Sequence, residues 1–235
     1  MTDHQVTDQP GEHTTPIRVL LADDEPGIRA GLRLVLRHAE DIEITAEASD
    51  GAEAVAHATR TPVDVVLLDI RMPVLDGLAA IDQLVRLDPK PAVVMLTTFG
   101  EEENVTRALR SGATGFLLKD DGPQELISAV RAAAAGDAVL SPGVTGLVVR
   151  RMLDGGPIEP TDPTTEAERR IASLDPTERE VLTLLGDGMP NLEIALRLGI
   201  GPDRVRTLVD EVLDRTGSDT RVQAALLAAQ AGLSS

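Results

Sequence analysis

Four aliphatic runs, each closed by a residue with chemistry to offer, constrain this chain more than any other feature. Val65-Val66-Leu67-Leu68 ends in Asp69, and Met72-Pro73 stops any extension. Ile17-Arg18-Val19-Leu20-Leu21-Ala22 ends in Asp23-Asp24-Glu25, Val93-Val94-Met95-Leu96 ends in Thr97-Thr98, and Gly115-Phe116-Leu117-Leu118 ends in Lys119. Continuous apolar runs of this length read as strands buried on both faces, the pattern of a parallel sheet covered by helices. A carboxylate at the end of such a strand is costly unless something uses it. Open parallel sheets place ligand sites beyond the carboxyl ends of their strands, so two acidic groups, a hydroxyl and an ammonium are directed toward one place.

Helix-like segments alternate with these runs. The reading is strand 17–22, helix 26–38, strand 42–48, helix 51–59, strand 63–69, helix 77–87, strand 92–97, helix 101–111, strand 115–119 and helix 123–135. Pro26 suits a first helical turn, Gly112 a C-cap, and Asp121-Gly122-Pro123 a helix start. The expected fold is α/β: a doubly wound, five-stranded parallel sheet of flavodoxin-like type over 17–136, after a flexible tail of 1–16. A connector helix near 142–153 and a stretch rich in Pro, Thr and Glu make 137–171 a linker. Four further helical pieces, 175–186, 190–198, 202–215 and 219–232, predict a small all-α domain over 172–235. Gly199-Ile200-Gly201 between the second and third gives the outline of a helix-turn-helix.

Composition narrows the function classes. No stretch reaches the roughly 18 apolar residues of a membrane span, and Met1 to Pro16 lacks the apolar core of a secretory signal, so a cytoplasmic protein is expected. The absence of cysteine excludes disulfides and thiolate zinc sites. The net charge of −17 divides into −13 up to Thr164 (27 acids, 14 bases) and −4 beyond it (12 acids, 8 bases). Neither part has the basic excess that marks a nucleic-acid footprint.

The strand-end residues suit a phosphoryl acceptor. Asp69 is the candidate nucleophile, forming an acyl phosphate. Asp24 with Asp23 is the candidate Mg²⁺ holder, joined by Asp69 and the main-chain carbonyl of Arg71, because Mg²⁺ favours a few carboxylates with waters and phosphate oxygens. Converging carboxylates repel unless a cation sits among them, a need met by Mg²⁺ and Lys119. Thr97 can donate to one phosphoryl oxygen and Lys119 can pair with another. Taken singly, each has a plainer reading: helix-cap acids, a satisfied strand-end hydroxyl, a solvated lysine. A phosphatase using a strand-end Asp in a D-x-D pattern is disfavoured, because Asp69-Ile70-Arg71 lacks the second acid.

Asp23-Asp24, Leu67-Leu68-Asp69-Ile70-Arg71-Met72-Pro73, Leu96-Thr97-Thr98-Phe99 and Gly115-Phe116-Leu117-Leu118-Lys119 resemble a two-component response-regulator receiver. The separations from Asp24 to Asp69, Thr97 and Lys119 in turn are 45, 28 and 22 residues, close to that family's pattern. The resemblance implies that Asp69 takes phosphate from a sensor histidine kinase. It also implies that Thr97 and Phe116 form a switch pair which remodels the face around helix 101–111. No enzymatic activity is expected beyond the receiver's own phosphoryl uptake and loss.

Leu174-Asp175-Pro176-Thr177-Glu178-Arg179-Glu180-Val181-Leu182 and Asn191-Leu192-Glu193-Ile194-Ala195-Leu196-Arg197-Leu198-Gly199-Ile200 resemble the LuxR-type (NarL/FixJ) DNA-binding domain. Leu140-Ser141-Pro142 is similar to that subfamily's connector. The resemblance makes 202–215 the recognition helix, with Val205, Val209, Val212 and Leu213 facing inward at helical spacing. Arg204, Arg206, Thr207 and Asp210 are the candidate base and groove contacts, Asn191 is a further candidate DNA contact, and Arg197 or Arg221 would touch phosphate. Leu208 stands where the family usually has His, and Asp210 where a basic residue is common.

Three carboxylates on that helix, Asp210, Glu211 and Asp214, oppose phosphate and shrink the counterion-release contribution to affinity. Either Asp210 accepts from a cytosine amino group while Arg206 reads guanine, or the domain relies on dimerisation or a more basic partner. The plain alternative is a packing helix with a solvated charged face. The expected function is a phosphorylation-dependent transcriptional regulator that forms homodimers on phosphorylation. A regulator acting through protein contacts or heterodimers is the alternative, and a stand-alone hydrolase the weakest.

Overall fold

The structure is a computed structural model and describes residues 15–98, 102–140 and 169–233. The connector helix expected near 142–153, Phe99 and most of the N-terminal tail lie outside the described residues. The first domain runs β1 (Ile17–Ala22), α1 (Pro26–Leu36), β2 (Ile42–Ala48), α2 (Gly51–Arg60), β3 (Val65–Asp69) and α3 (Gly77–Leu84). It continues with β4 (Ala92–Thr97), α4 (Glu102–Arg110), β5 (Gly115–Leu118), α5 (Pro123–Ala134) and β6 (Val139–Leu140). All six strands are parallel, in the order β2-β1-β3-β4-β5-β6.

The expected five strands are present, and β6 is an addition. Two residues carry no periodic signal, so nothing local marked this strand. It forms because Gly115 lets the backbones approach: a Cβ there would sit 2.4 Å from the Val139 carbonyl oxygen. The sheet therefore extends past the expected boundary at 136, to Leu140.

Successive strand residues face opposite sides, and both sides are apolar. Leu20, Val66, Leu68, Val93, Met95 and Phe116 pack with α2, α3 and α4. Val19, Leu21, Val65, Leu67, Val94 and Leu96 pack with α1 and α5 through Leu36, Leu126, Ile127 and Val130. Burying such a side chain fully contributes about 1.5–3 kcal/mol, so the continuous runs specify a two-sided core. Helices α1 and α3 end earlier than the pattern suggested. Their last turns tighten to three-residue hydrogen bonds, as in His38 N to Val35 O and Leu87 N to Leu84 O.

The second domain holds α6 (Pro176–Gly186), α7 (Asn191–Leu198), α8 (Pro202–Thr216) and α9 (Arg221–Gln230) around Ile171, Leu182, Leu185, Ile194, Val205 and Val212. Asp175 and Glu178 form a capping box that starts α6. Gly199 at φ +66 ends α7 in the left-handed region, which turns the chain into α8.

The domains meet along α4. Val222 and Leu226 of α9 join the first domain's apolar cluster beside Val105 and Leu109. The Gln223 side chain donates to the Leu109 and Arg110 carbonyls at 3.1 Å each, capping the end of α4. Lys90 Nζ donates to the Asp219 carbonyl at 2.7 Å.

Candidate functional site

The carboxyl edge of the sheet gathers the residues that the strand ends suggested. Pairing places Asp69 opposite Leu96 and Thr97 opposite Leu118, so β3, β4 and β5 deliver their last residues to one rim. Lys119 Nζ lies 2.7 Å from Asp23 Oδ2 and 3.1 Å from Asp69 Oδ2. Asp23 is 0% exposed and Asp69 6%, whereas Asp24 opens to solvent. Asp23 Oδ1 accepts from Glu25 N and Asp69 Oδ1 from Ile70 N, both at 2.9 Å. Arg29 donates to the Asp23 carbonyl, tying α1 to the site.

Asp23, Asp24 and Asp69 each offer an oxygen within 4.8 Å of the others. Asp23 Oδ2 has a charge contact with Lys119 but no aligned hydrogen bond, although it is fully buried. A wholly buried carboxylate oxygen with a lone pair to spare, beside one solvent-facing carboxylate, fits a hard divalent cation that keeps waters. The residues present therefore suit Mg²⁺, with Asp23, Asp24 and Asp69 as its carboxylate ligands.

Electrostatics follows the burial. Loss of water raises the Asp69 carboxyl above the ordinary range; Lys119 pulls it down and Asp23 pushes it up again. Burial works against the Lys119 ammonium, but Asp23 and Asp69 together more than compensate and hold its pKa above the usual lysine value. Thr97 is buried and its carbonyl accepts from Lys119 N at 2.8 Å. Phe116 is fully buried in the cluster that contains Val105 and Val222.

The loop after Asp69 shows a local irregularity. Gly77 N donates to the Ile70 carbonyl at 2.9 Å, and a Cβ at Gly77 would meet the Asp69 carbonyl at 2.0 Å, so only glycine fits there. Val74 sits at φ +63 and is 87% exposed. A β-branched residue in the left-handed region is strained and here packs against little. Val74→Gly should therefore stabilise the chain by about 0.5–1 kcal/mol, after the added freedom of the unfolded glycine is deducted. Urea unfolding measures it, and a lowered midpoint would contradict the strain.

Comparison with known proteins agrees with this geometry. Residues 19–131 match the response regulator receiver domain, and residues 172–228 match the bacterial regulatory proteins of the luxR family. A transcriptional regulatory protein of Bacillus subtilis, YxjL, is 36% identical over 92% of this chain and 97% of its own length. The chain belongs to the LuxR-type response regulators. The nitrate/nitrite response regulator NarL of Escherichia coli is 35% identical to it, over 90% of this chain and 94% of NarL. The crystal structure of ChrA, a response regulator of a heme-sensing two-component system, superposes with a TM-score of 0.51 at 34% identity, over 94% of this chain and all of ChrA.

In this response regulator α8 is the helix that the sequence resemblance assigns to DNA recognition. Arg204, Arg206, Thr207 and Asp210 are all exposed on it. Arg204 lies 3.5 Å from Glu211, and Arg215 Nε lies 3.0 Å from Glu178, so two of its cations already face carboxylates. Desolvation raises the Asp210 carboxyl, with Arg206 opposing the shift and Asp214 reinforcing it. Leu208 is buried and belongs to the domain core.

Asn191 and Arg221, candidates for DNA contact by sequence, are 8% and 6% exposed here and lie at the domain junction. Arg221 Nη1 donates to Asp137 Oδ1 at 2.9 Å and to Asn191 Oδ1 at 2.6 Å, and Arg221 also donates to the Met189 carbonyl. Asn191 N donates to Asp137 Oδ1 at 3.1 Å, and its side chain donates to the Ala135 carbonyl at 3.2 Å. In this arrangement these two residues face the receiver rather than phosphate. Sequence reading missed Asp137 and Gln223, because single polar residues after a helix and on an amphipathic one carry no pattern.

Proposed function

We propose that this regulator accepts a phosphoryl group on Asp69 from a sensor histidine kinase and thereby controls transcription through its DNA-binding domain. One observation carries the reading: a buried strand-end aspartate and a second buried carboxylate share the Lys119 ammonium, beside an exposed third carboxylate. An Asp69 oxygen attacks phosphorus, an O–P bond forms, the P–N bond to the donor imidazole breaks, and the ring, already protonated on its other nitrogen, takes the bonding pair and leaves as neutral imidazole. Asp23, Asp24, Asp69 and the Arg71 carbonyl would hold Mg²⁺, which would supply charge neutralisation at the transferred oxygens. Lys119 then exchanges its Asp69 contact for a phosphoryl oxygen, and Thr97 donates to another.

Phosphorylation adds roughly −1.5 to −2 charge at the sheet edge. Reversing a two-state equilibrium from about 1:99 to 99:1 takes about 5.5 kcal/mol of differential interaction. Hydrogen bonds to charged groups contribute about 1.5–3 kcal/mol each, so new Thr97 and Lys119 contacts are of the required order. The chain acts in the cytoplasm, where kinase and promoter are both within reach, and pairs as a homodimer on DNA, two recognition helices about one helical turn apart. Among the described residues no helix is long and apolar enough to cross a membrane.

A second reading rests on the charge of α8. Its exposed Asp210 and Asp214, and Arg204 and Arg215 facing acids, favour a domain that works through protein contacts or a heterodimer with a more basic partner. Salt-titrated binding to promoter DNA, with and without an acyl-phosphate donor, separates the two. Sequence preference that strengthens with donor supports direct DNA control, and no preference in either state supports the second reading. Asp210→Lys should tighten non-specific binding and steepen the log–log salt slope by roughly 1, since each phosphate contact releases about one counterion. An unchanged slope would show that this face does not meet phosphate.

A further inference from the structure

We propose that Asp137, suspended between α5 and β6, is the latch by which the receiver holds the DNA-binding domain, and that β6 connects this latch to the switch strand β5. The proposal rests on Asp69 being the phosphoacceptor for its control, though not for the latch itself.

The latch is a polar knot across the junction. One Asp137 oxygen accepts from the Arg221 guanidinium and from the Asn191 amide, and the Ala135 carbonyl accepts from the Asn191 side chain. Among the described residues Asp137 is the carboxylate paired with Arg221, and it comes from the other domain. Arg221 is buried at the junction, so while the domains are docked Asp137 is the counter-charge of a largely desolvated cation, and parting them returns both groups to water. Removing one partner of a buried pair is strongly unfavourable because the other charge stays buried and uncompensated, so the docked state depends on Asp137.

The position of Asp137 supplies the coupling. Its amide donates to the Ala132 carbonyl at 2.9 Å, closing α5, and Val139 N, two residues on, donates to the Thr114 carbonyl at 3.3 Å. Gly115 pairs with Val139 and Phe116 with Leu140, and the approach at Gly115 leaves no room for a side chain. Phe116 also shares its apolar cluster with Val105 of α4 and Val222 of α9. A rearrangement of Phe116 therefore acts on both halves of the junction: on Asp137 through β6, and on Val222 through α4.

Docking covers Asn191 and the side of α9 that carries Arg221 and Val222, while Arg204, Arg206, Thr207 and Asp210 of α8 stay exposed. The latch thus withholds the last helix of the DNA-binding domain rather than its base-reading face.

The full chain has no cysteine, so Thr61→Cys and Glu180→Cys, both at exposed positions, accept a dye pair for single-molecule energy transfer. The doubly labelled parent should show one short-distance population that opens with beryllofluoride and Mg²⁺. Asp137→Ala should raise the open-to-closed ratio roughly tenfold or more without beryllofluoride. A Gly-Gly insertion after Ala138, which keeps Asp137 and β6 but loosens their connection, should remain closed and lose the opening response. An open fraction for Asp137→Ala equal to the parent's overturns the latch. Normal beryllofluoride opening in the insertion variant overturns the connection through β6. Amide resonances of Thr97 and Lys119 report receiver activation separately. If they do not move in the parent while Asp137→Ala still opens, the phosphoacceptor reading fails and the latch stands.

Discussion

Asp69→Ala abolishes incorporation of phosphate from phosphoramidate, while the chain remains folded. The acceptor oxygen is removed, and Asp23, the other buried carboxylate, already binds Lys119 and the Glu25 amide. The change should not weaken the fold at neutral pH. Burial raises the Asp69 carboxyl in the folded state, Lys119 draws it down, and Asp23 drives it up. A group whose folded pKa lies above its unfolded value contributes stability below the unfolded pKa and loses it as pH rises through the folded one. Above its folded pKa the ionised Asp69 is therefore held at a cost, and Asp69→Ala should there match or exceed the parent in urea without Mg²⁺. That advantage should shrink as the solution is acidified. Mass spectrometry of the intact chain reads the label, and stoichiometric label on Asp69→Ala would remove Asp69 as acceptor.

Lys119→Met should be the most destabilising change at the site, by about 3 kcal/mol at neutral pH without Mg²⁺. The ammonium is shared by Asp23 and Asp69, and its side chain is 5% exposed. Methionine fills the same space but leaves two nearby carboxylates, one of them wholly buried, without a counter-charge. The deficit should diminish at lower pH, because Asp69, whose carboxyl is already raised by burial, takes up its proton in the folded state before the unfolded chain does. Mg²⁺ should recover more stability in Lys119→Met than in the parent, since the cation supplies the missing positive charge. Denaturant unfolding at several pH values, with Mg²⁺ and with chelator, measures all three. An unchanged midpoint would mean that water already screens the pair.

Much of this site was legible before any coordinates. Val65 to Leu68 and Val93 to Leu96 could only be strands covered on both faces, and strands of that kind end where ligands bind. Asp23, Asp69, Thr97 and Lys119 were identified that way, and the structure brings Asp23, Asp69 and Lys119 into direct contact. Helix α8 was equally readable, since Val205, Val209 and Val212 repeat at helical spacing and are buried.

Chain order alone thus determined the strands, the helices and the chemical character of their ends, because periodicity and turn residues act over a few neighbours. Three matters waited for the tertiary structure: the sixth strand, the strained Val74, and the burial of Asn191 and Arg221 against Asp137. Each depends on groups far apart in the chain or on backbone conformation. Asp137 and Arg221 are separated by 84 residues, and only the docking of α9 on α4 turns a surface arginine into a buried partner of a receiver carboxylate.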